Sequence, residues 1–153
     1  MKLALALSER ADIQSRINDL ASRLYRNAKV QEGEKPTEEP SELMRELEGL
    51  YGQLENLISR INHTNNETKC GDDSLTDLLA KRDCLKSKIS ILRSFLKEAS
   101  NLTGNYYSKT EIKTYSTVPV AQIQKKVDVL SREYRELDDR IQEINWSVEL
   151  ICF

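Results

Sequence analysis

The feature that most constrains this chain is the recurrence of apolar residues at alternating steps of three and four positions. The pattern is clearest from Val120 to Val148, and three similar lines begin at Leu3, Leu43 and Leu75. A mean step of 3.5 residues keeps such side chains on one edge of a slightly supercoiled helix, as in coiled coils, whereas a β-strand needs a step of two. We call these lines the seams of four predicted helices.

The seams predict helices over residues of about 2–27, 38–65, 74–103 and 118–149. Each helix has roughly 25–30 residues and a length of roughly 40 Å at the α-helical rise. Four helices of similar length with short connections pack as an antiparallel four-helix bundle. The sequence therefore predicts a mainly α fold, with residues 1–153 forming a single helical-bundle domain.

Two of the connections do not read as ordinary turns. Residues 27–34 read NAKVQEGE, and residues 106–118 are rich in β-branched and aromatic residues, with Ile112, Thr114, Ser116 and Val118 alternating against Lys113, Tyr115 and Thr117. Both connections follow helices that run in the same direction in an up-and-down bundle, so they lie at the same end. We therefore expect a short two-stranded β ribbon at one end of the bundle. The candidate functional residues at this ribbon end are Asn27, Gln31, Glu32, Lys113 and Tyr115.

Two of the predicted helices carry a second apolar line beside the seam, seven residues apart in the second helix. A stripe wider than one seam indicates that a helix contacts two neighbours. The second neighbour is either another helix of the same globular core or a second subunit. The apolar C-terminal end favours the second subunit, because a monomer would expose it. We therefore predict a homo-oligomer, with the interface candidates Met44, Tyr51, Ile58, Ile91, Phe95 and Trp146.

Two arginines, Arg10 and Arg82, occupy seam positions where the pattern expects leucine. A desolvated guanidinium needs acceptors, because an unpaired buried charge is costly. One interpretation is that each arginine reaches the edge of the bundle or pairs with an acid such as Asp77, Asp128, Asp138 or Glu149. The other is a pocket for an anionic small molecule, with Arg10, Arg82 and Arg132 as the ligand-binding candidates.

The residues that usually carry metal or nucleophilic chemistry are sparse. His63 is the only histidine, and Arg60 stands where a di-iron Glu-x-x-His pattern needs its glutamate. The three cysteines, Cys70, Cys84 and Cys152, form no CxxC pair, which argues against both a zinc site and a disulfide framework. No catalytic triad order or glycine-rich phosphate loop is present. We predict no enzymatic activity, no catalytic residue, no cofactor and no metal.

The charge balance bears on the class of partner. Lys and Arg number 23 and Asp and Glu 25, a formal net charge of -2, whereas nucleic-acid binders usually carry a basic excess. The N-terminal apolar run is too short for a signal peptide, and no apolar stretch approaches the roughly 20 residues of a membrane span. We expect a cytoplasmic protein whose partners include neither nucleic acid nor a membrane.

Three runs of the sequence are distinctive, namely residues 27–34 (NAKVQEGE), 108–113 (SKTEIK) and 138–146 (DDRIQEINW). Through these and further runs, nearly the whole chain resembles the septicolysin-like family of small bacterial helical proteins. The family's name implies a cytolysin, which is a pore-forming toxin, and the resemblance supplies no catalytic residue. The residues themselves predict a non-enzymatic binding or scaffold protein that self-associates or takes another protein partner. Cytolysin activity and anion binding through Arg10 and Arg82 are the two alternatives.

Overall fold

The computed structural model describes residues 1–102 and 113–152. Its four helices are α1 (Leu3–Arg26), α2 (Pro40–Glu67), α3 (Leu75–Ser100) and α4 (Val120–Ser147). Two short strands, β1 (Lys69–Cys70) and β2 (Asp73–Ser74), form an antiparallel pair. The predicted mainly α fold is confirmed, and each helix begins and ends within a few residues of its predicted bounds.

The contacts divide the chain into two compact units. The first contains Met1–Thr76 together with Gln142–Phe153, and the second contains Asp77–Ile141. The expectation of a single domain over residues 1–153 stays a prediction.

In the first unit, α1 and α2 pack through their seams. Leu3 and Leu20 of α1 and Ile61 of α2 are almost completely buried, as the heptad spacing predicts. Pro40 is the first residue of α2, where its missing N–H leaves no hydrogen bond unmade. Asn27 closes the connection between the two helices, because its Nδ2 donates to a carbonyl of the last α1 turn at 2.9 Å and its Oδ1 accepts from the backbone N–H of Glu38 at 3.0 Å.

The two ends of the chain meet in the same unit. The Leu3 N–H donates to the Val148 carbonyl at 2.9 Å, and the Leu150 N–H donates to the Met1 carbonyl at 2.8 Å. Leu150 is only 4% exposed. The expectation that a monomer exposes the apolar C-terminal end is therefore wrong for Leu150, which is buried where the backbones of the two chain ends pair.

In the second unit, α3 and α4 are antiparallel. Arg82 contacts Asp138 and Arg93 contacts Ser131. A later residue of α3 therefore contacts an earlier residue of α4, as antiparallel helices require. The core of this unit consists of Ile89, Leu96 and Val127. The seam residues packed against this core are Leu85, Leu92, Val120, Ile123, Leu130 and Tyr134.

The β ribbon is not where the sequence analysis predicted it. It connects α2 to α3, with Lys69 opposite Ser74 and Cys70 opposite Asp73. Gly71, the first residue of its two-residue turn, has a φ of 83°, a conformation that glycine adopts without strain and that two-residue hairpins require. In the first predicted partner, residues 27–34, the chain forms turns and no strand. The second, residues 106–118, lies partly outside the described residues, and its described part (113–118) contains no strand.

Among the described residues, no helix combines the length and the apolar composition needed to cross a membrane.

Candidate functional site

Arg82 pairs with acids rather than standing open to a ligand. Its Nη1 lies 3.1 Å from Asp138 Oδ1 and its Nη2 lies 3.2 Å from Asp83 Oδ1. Burial lowers the pKa of Arg82, but the hydrogen bonds to both carboxylates outweigh that effect, and the pKa lies above its usual value. Asp138 is one of the acids that the sequence analysis named for this pairing.

Arg10 differs from Arg82. It is half-buried, and its Nε is buried without a hydrogen-bond partner within residues 1–102 and 113–152. Arg10 belongs to the first unit and Arg82 to the second, whereas Arg132 is exposed on α4. Their joint role as a ligand pocket stays a prediction.

The ribbon-end candidates occupy connections between helices. Asn27 is buried, and its two side-chain hydrogen bonds join the end of α1 to Glu38 ahead of α2. These contacts stabilise the α1–α2 connection. Gln31 lines an open polar groove of about 490 Å³ in that connection. Glu32 is exposed, as are Lys113 and Tyr115 ahead of α4. Their functional assignment stays a prediction.

The second apolar lines of α2 and α3 are largely exposed. Met44 and Tyr51 on α2 are 51% and 53% exposed, and Ile91 and Phe95 on α3 are 67% and 42% exposed. For these residues the interpretation as a wide core stripe is therefore wrong. Trp146 is also exposed, at 60%.

Charged residues interleave with these exposed apolar residues at helical spacing. We define the α2 face as Met44, Glu48, Tyr51, Glu55 and Ile58. We define the α3 face as Lys81, Cys84, Lys88, Ile91 and Phe95. The α2 face therefore contains two acids and no base, whereas the α3 face contains two bases and no acid.

A cavity of about 520 Å³ lies between α3 and α4 in the second unit. We call it the α3–α4 groove. Three cationic side chains, those of Lys86, Arg93 and Arg135, line it together with hydroxyl and apolar groups, and no carboxylate is among the lining residues. The complete lining is Lys86, Ile89, Ser90, Arg93, Ser94, Ser131, Tyr134 and Arg135.

The sequence analysis missed this groove. The sequence pattern that could have indicated the groove is the spacing of Lys86, Ser90 and Arg93 along one face of α3, with Ser131 and Arg135 about one turn apart on α4. None of Arg10, Arg82 and Arg132 lines the groove.

The described part of the chain contains no cluster of three or more His, Cys, Asp or Glu side chains placed to hold a metal ion. None of the three cysteines is in a disulfide, and Cys70 is buried whereas Cys84 and Cys152 are exposed.

Comparison with known proteins supplies the family. A family model, "Family of unknown function (DUF6847)", matches residues 10–150. The chain belongs to DUF6847. The crystal structure of a functionally unknown conserved protein from Corynebacterium diphtheriae is similar to this DUF6847 chain, with 39% sequence identity, a TM-score of 0.92 and coverage of 99% of both chains. No curated protein matches the chain.

Membership of DUF6847 overturns the resemblance to the septicolysin-like family. The family model that matches residues 10–150 describes a family of unknown function and not the septicolysin-like family. Neither the family description nor the similar crystal structure refers to septicolysins. The cytolysin activity that the resemblance implied is therefore no longer supported.

Proposed function

We propose that this protein is a non-enzymatic cytoplasmic scaffold or binding protein that self-associates, with the α2 face of one copy packing against the α3 face of a second copy. The observation that carries the proposal is the exposure of Met44, Tyr51, Ile91 and Phe95 on helices whose seams are already buried. Apolar residues that recur along one face of a helix and remain exposed in a folded chain are typical of interaction surfaces. Three cysteines without a disulfide are in keeping with a reducing compartment.

The charges on the two faces favour this pairing over the pairing of like faces. Two α2 faces would bring Glu48 and Glu55 close to their own copies, and two α3 faces would do the same with Lys81 and Lys88. None of these four side chains forms an ion pair within the described ranges of the chain, so each is free for a partner of opposite charge. Exposed pairs contribute only about 0.2–1 kcal/mol each. The charges therefore select the partner face, and apolar burial supplies most of the affinity.

The test combines charge reversal with a mass measurement by light scattering. The wild type should have a mass above the monomer value of 17.6 kDa. Glu48→Lys with Glu55→Lys should weaken association by about tenfold or more, because two attractions become repulsions. Lys81→Glu with Lys88→Glu should have the same effect, and the four changes together should restore association.

The matched control reverses two exposed lysines of α4, Lys125→Glu with Lys126→Glu, which belong to neither face. This control should associate like the wild type. A wild type that stays at 17.6 kDa at high micromolar concentration contradicts self-association. A quadruple variant that stays dissociated would instead show that the two faces do not pair with each other.

The alternative of anion binding through Arg10 and Arg82 has support only at Arg10. The Arg82 guanidinium is already held by Asp83 and Asp138, whereas Arg10 Nε has no acceptor among the described residues.

A further inference from the structure

We propose that the α3–α4 groove binds a small molecule that carries a phosphate monoester on an apolar substituent. The groove shares no residue with the α2 face or the α3 face, so this proposal does not depend on self-association. It depends on three properties of the groove, which are its unpaired positive charge, its hydroxyl donors and its apolar floor.

The first property is positive charge that has no acidic partner among the residues that the structure describes. Lys86, Arg93 and Arg135 line one cavity, and none of them forms an ion pair in the part of the chain that the structure describes. Arg82, on the same helix, shows the usual arrangement, because two aspartates hold it. Three cations without a carboxylate in one cavity favour an anion as the missing partner.

The number and kind of donors favour phosphate over carboxylate. Arg93 Nη2 donates to Ser131 Oγ at 3.1 Å, so the hydroxyl hydrogen of Ser131 remains available to a ligand. Ser90, Ser94 and Tyr134 add three more hydroxyl groups to the lining. The groove offers two guanidinium groups, one ammonium group and these hydroxyls as hydrogen-bond donors. They are more donors than the two oxygens of a carboxylate can accept from, whereas a phosphate monoester has three terminal oxygens and up to two negative charges.

The apolar floor indicates what the phosphate is attached to. Ile89 lies at the bottom of the groove as part of the buried core, and Tyr134 packs against the same core. An aromatic or aliphatic substituent would cover these side chains and exclude water from them. The volume of about 520 Å³ is within the roughly 300–1,000 Å³ of small-molecule sites.

Isothermal titration calorimetry with three probes tests the proposal. Phenyl phosphate should bind. Inorganic phosphate lacks the apolar substituent and should bind with an affinity lower by about tenfold or more. Lys86→Gln with Arg135→Gln should weaken phenyl phosphate binding by about tenfold or more, and Arg93→Gln alone should also weaken it. Vesicles containing phosphatidic acid, compared with phosphatidylcholine vesicles, test whether the phosphate must come from a lipid surface.

The control variant, Lys125→Gln with Lys126→Gln, removes the same positive charge from exposed positions of α4 outside the groove. It should bind phenyl phosphate within about twofold of the wild type, because removing remote exposed charges costs little. If the groove double variant does not fold, two other measurements test the site. They are the affinity of Arg93→Gln for phenyl phosphate and the change in the NMR signals of the Tyr134 ring when phenyl phosphate is added to the wild type. The absence of binding at millimolar phenyl phosphate overturns the proposal, as does equal weakening in the control variant. Binding to phosphatidic acid vesicles alone overturns it too, because the site would then recognise a membrane surface.

Discussion

Replacing the two seam arginines by methionine should have opposite effects on stability. Methionine keeps an unbranched apolar stem and removes the guanidinium. In the wild type, Arg10 Nε is buried without a hydrogen-bond partner in the described residues, and a buried unsatisfied donor costs about 1–3 kcal/mol. We therefore expect Arg10→Met to raise the free energy of unfolding by about 1–2 kcal/mol.

Arg82→Met removes the hydrogen bonds from the guanidinium to Asp83 and Asp138. Asp138 is 33% exposed, so water partly replaces its lost partner. We expect this variant to lower the free energy of unfolding by about 0.5–1 kcal/mol, as is usual for partly exposed ion pairs.

Urea unfolding followed by circular dichroism measures both changes under identical conditions. A loss of about 1 kcal/mol or more on Arg10→Met would refute the reasoning, because the guanidinium would then have a stabilising acceptor. Repeating the experiment with sodium phosphate adds a functional readout. If phosphate stabilises the wild type but not Arg10→Met, Arg10 contributes to an anion site and its cost in stability has a function.

Substitutions at three further positions test contacts that hold the first unit together. Thr64 Oγ1 accepts from the Ile151 N–H at 3.0 Å, so Thr64→Val should lower the unfolding free energy by about 1 kcal/mol and speed amide exchange at Ile151, whereas Thr64→Ser should keep that amide protected. Hydrogen bonds from Lys2 and the terminal amino group lower the pKa of Glu149 from 4.5 to about 2. The ionised Glu149 carboxylate should therefore stabilise the fold fully above about pH 4.5, and this stabilisation should disappear as the pH falls towards 2. Glu149→Gln should remove that part of the pH dependence of the melting temperature. Asn27→Ala should cost about 1–2 kcal/mol in urea unfolding and speed proteolysis of residues 28–39, because it frees both ends of the α1–α2 connection.

The four helices could be predicted because their signal is local. A seam specifies which side of a helix is buried, whichever element covers it, and Leu20, Ile61, Val127 and Ile141 are indeed nearly inaccessible. The same pattern could not show whether the second apolar line of α2 is core or surface. Both outcomes place apolar side chains beside the seam, and only the packing shows that Met44 is half exposed.

The ribbon was misplaced because strands of two residues have no periodicity to detect. The strand was predicted from the alternation in residues 106–118. The observed turn depends instead on one backbone property, the positive φ of Gly71. The α1–α2 connection is held by a side chain instead, since Asn27 donates to the Arg23 carbonyl and accepts from the Glu38 N–H. Such side-chain closure is typical of asparagine at turns, but its partner eleven residues away cannot be read from local pattern.

The groove and Arg82 show that a charged residue that interrupts the apolar pattern need not be one that lacks a partner. Arg82 stands out in the sequence because it interrupts an apolar line, yet Asp83 and Asp138 neutralise it. Lys86, Arg93 and Arg135 occupy positions where charged residues are ordinary, and each taken alone is a solvated surface cation. Their significance arises only when α3 and α4 pack and bring three cations to one cavity without an acid. Because that grouping depends on which helices pair and in which register, heptad spacing alone could not have revealed it.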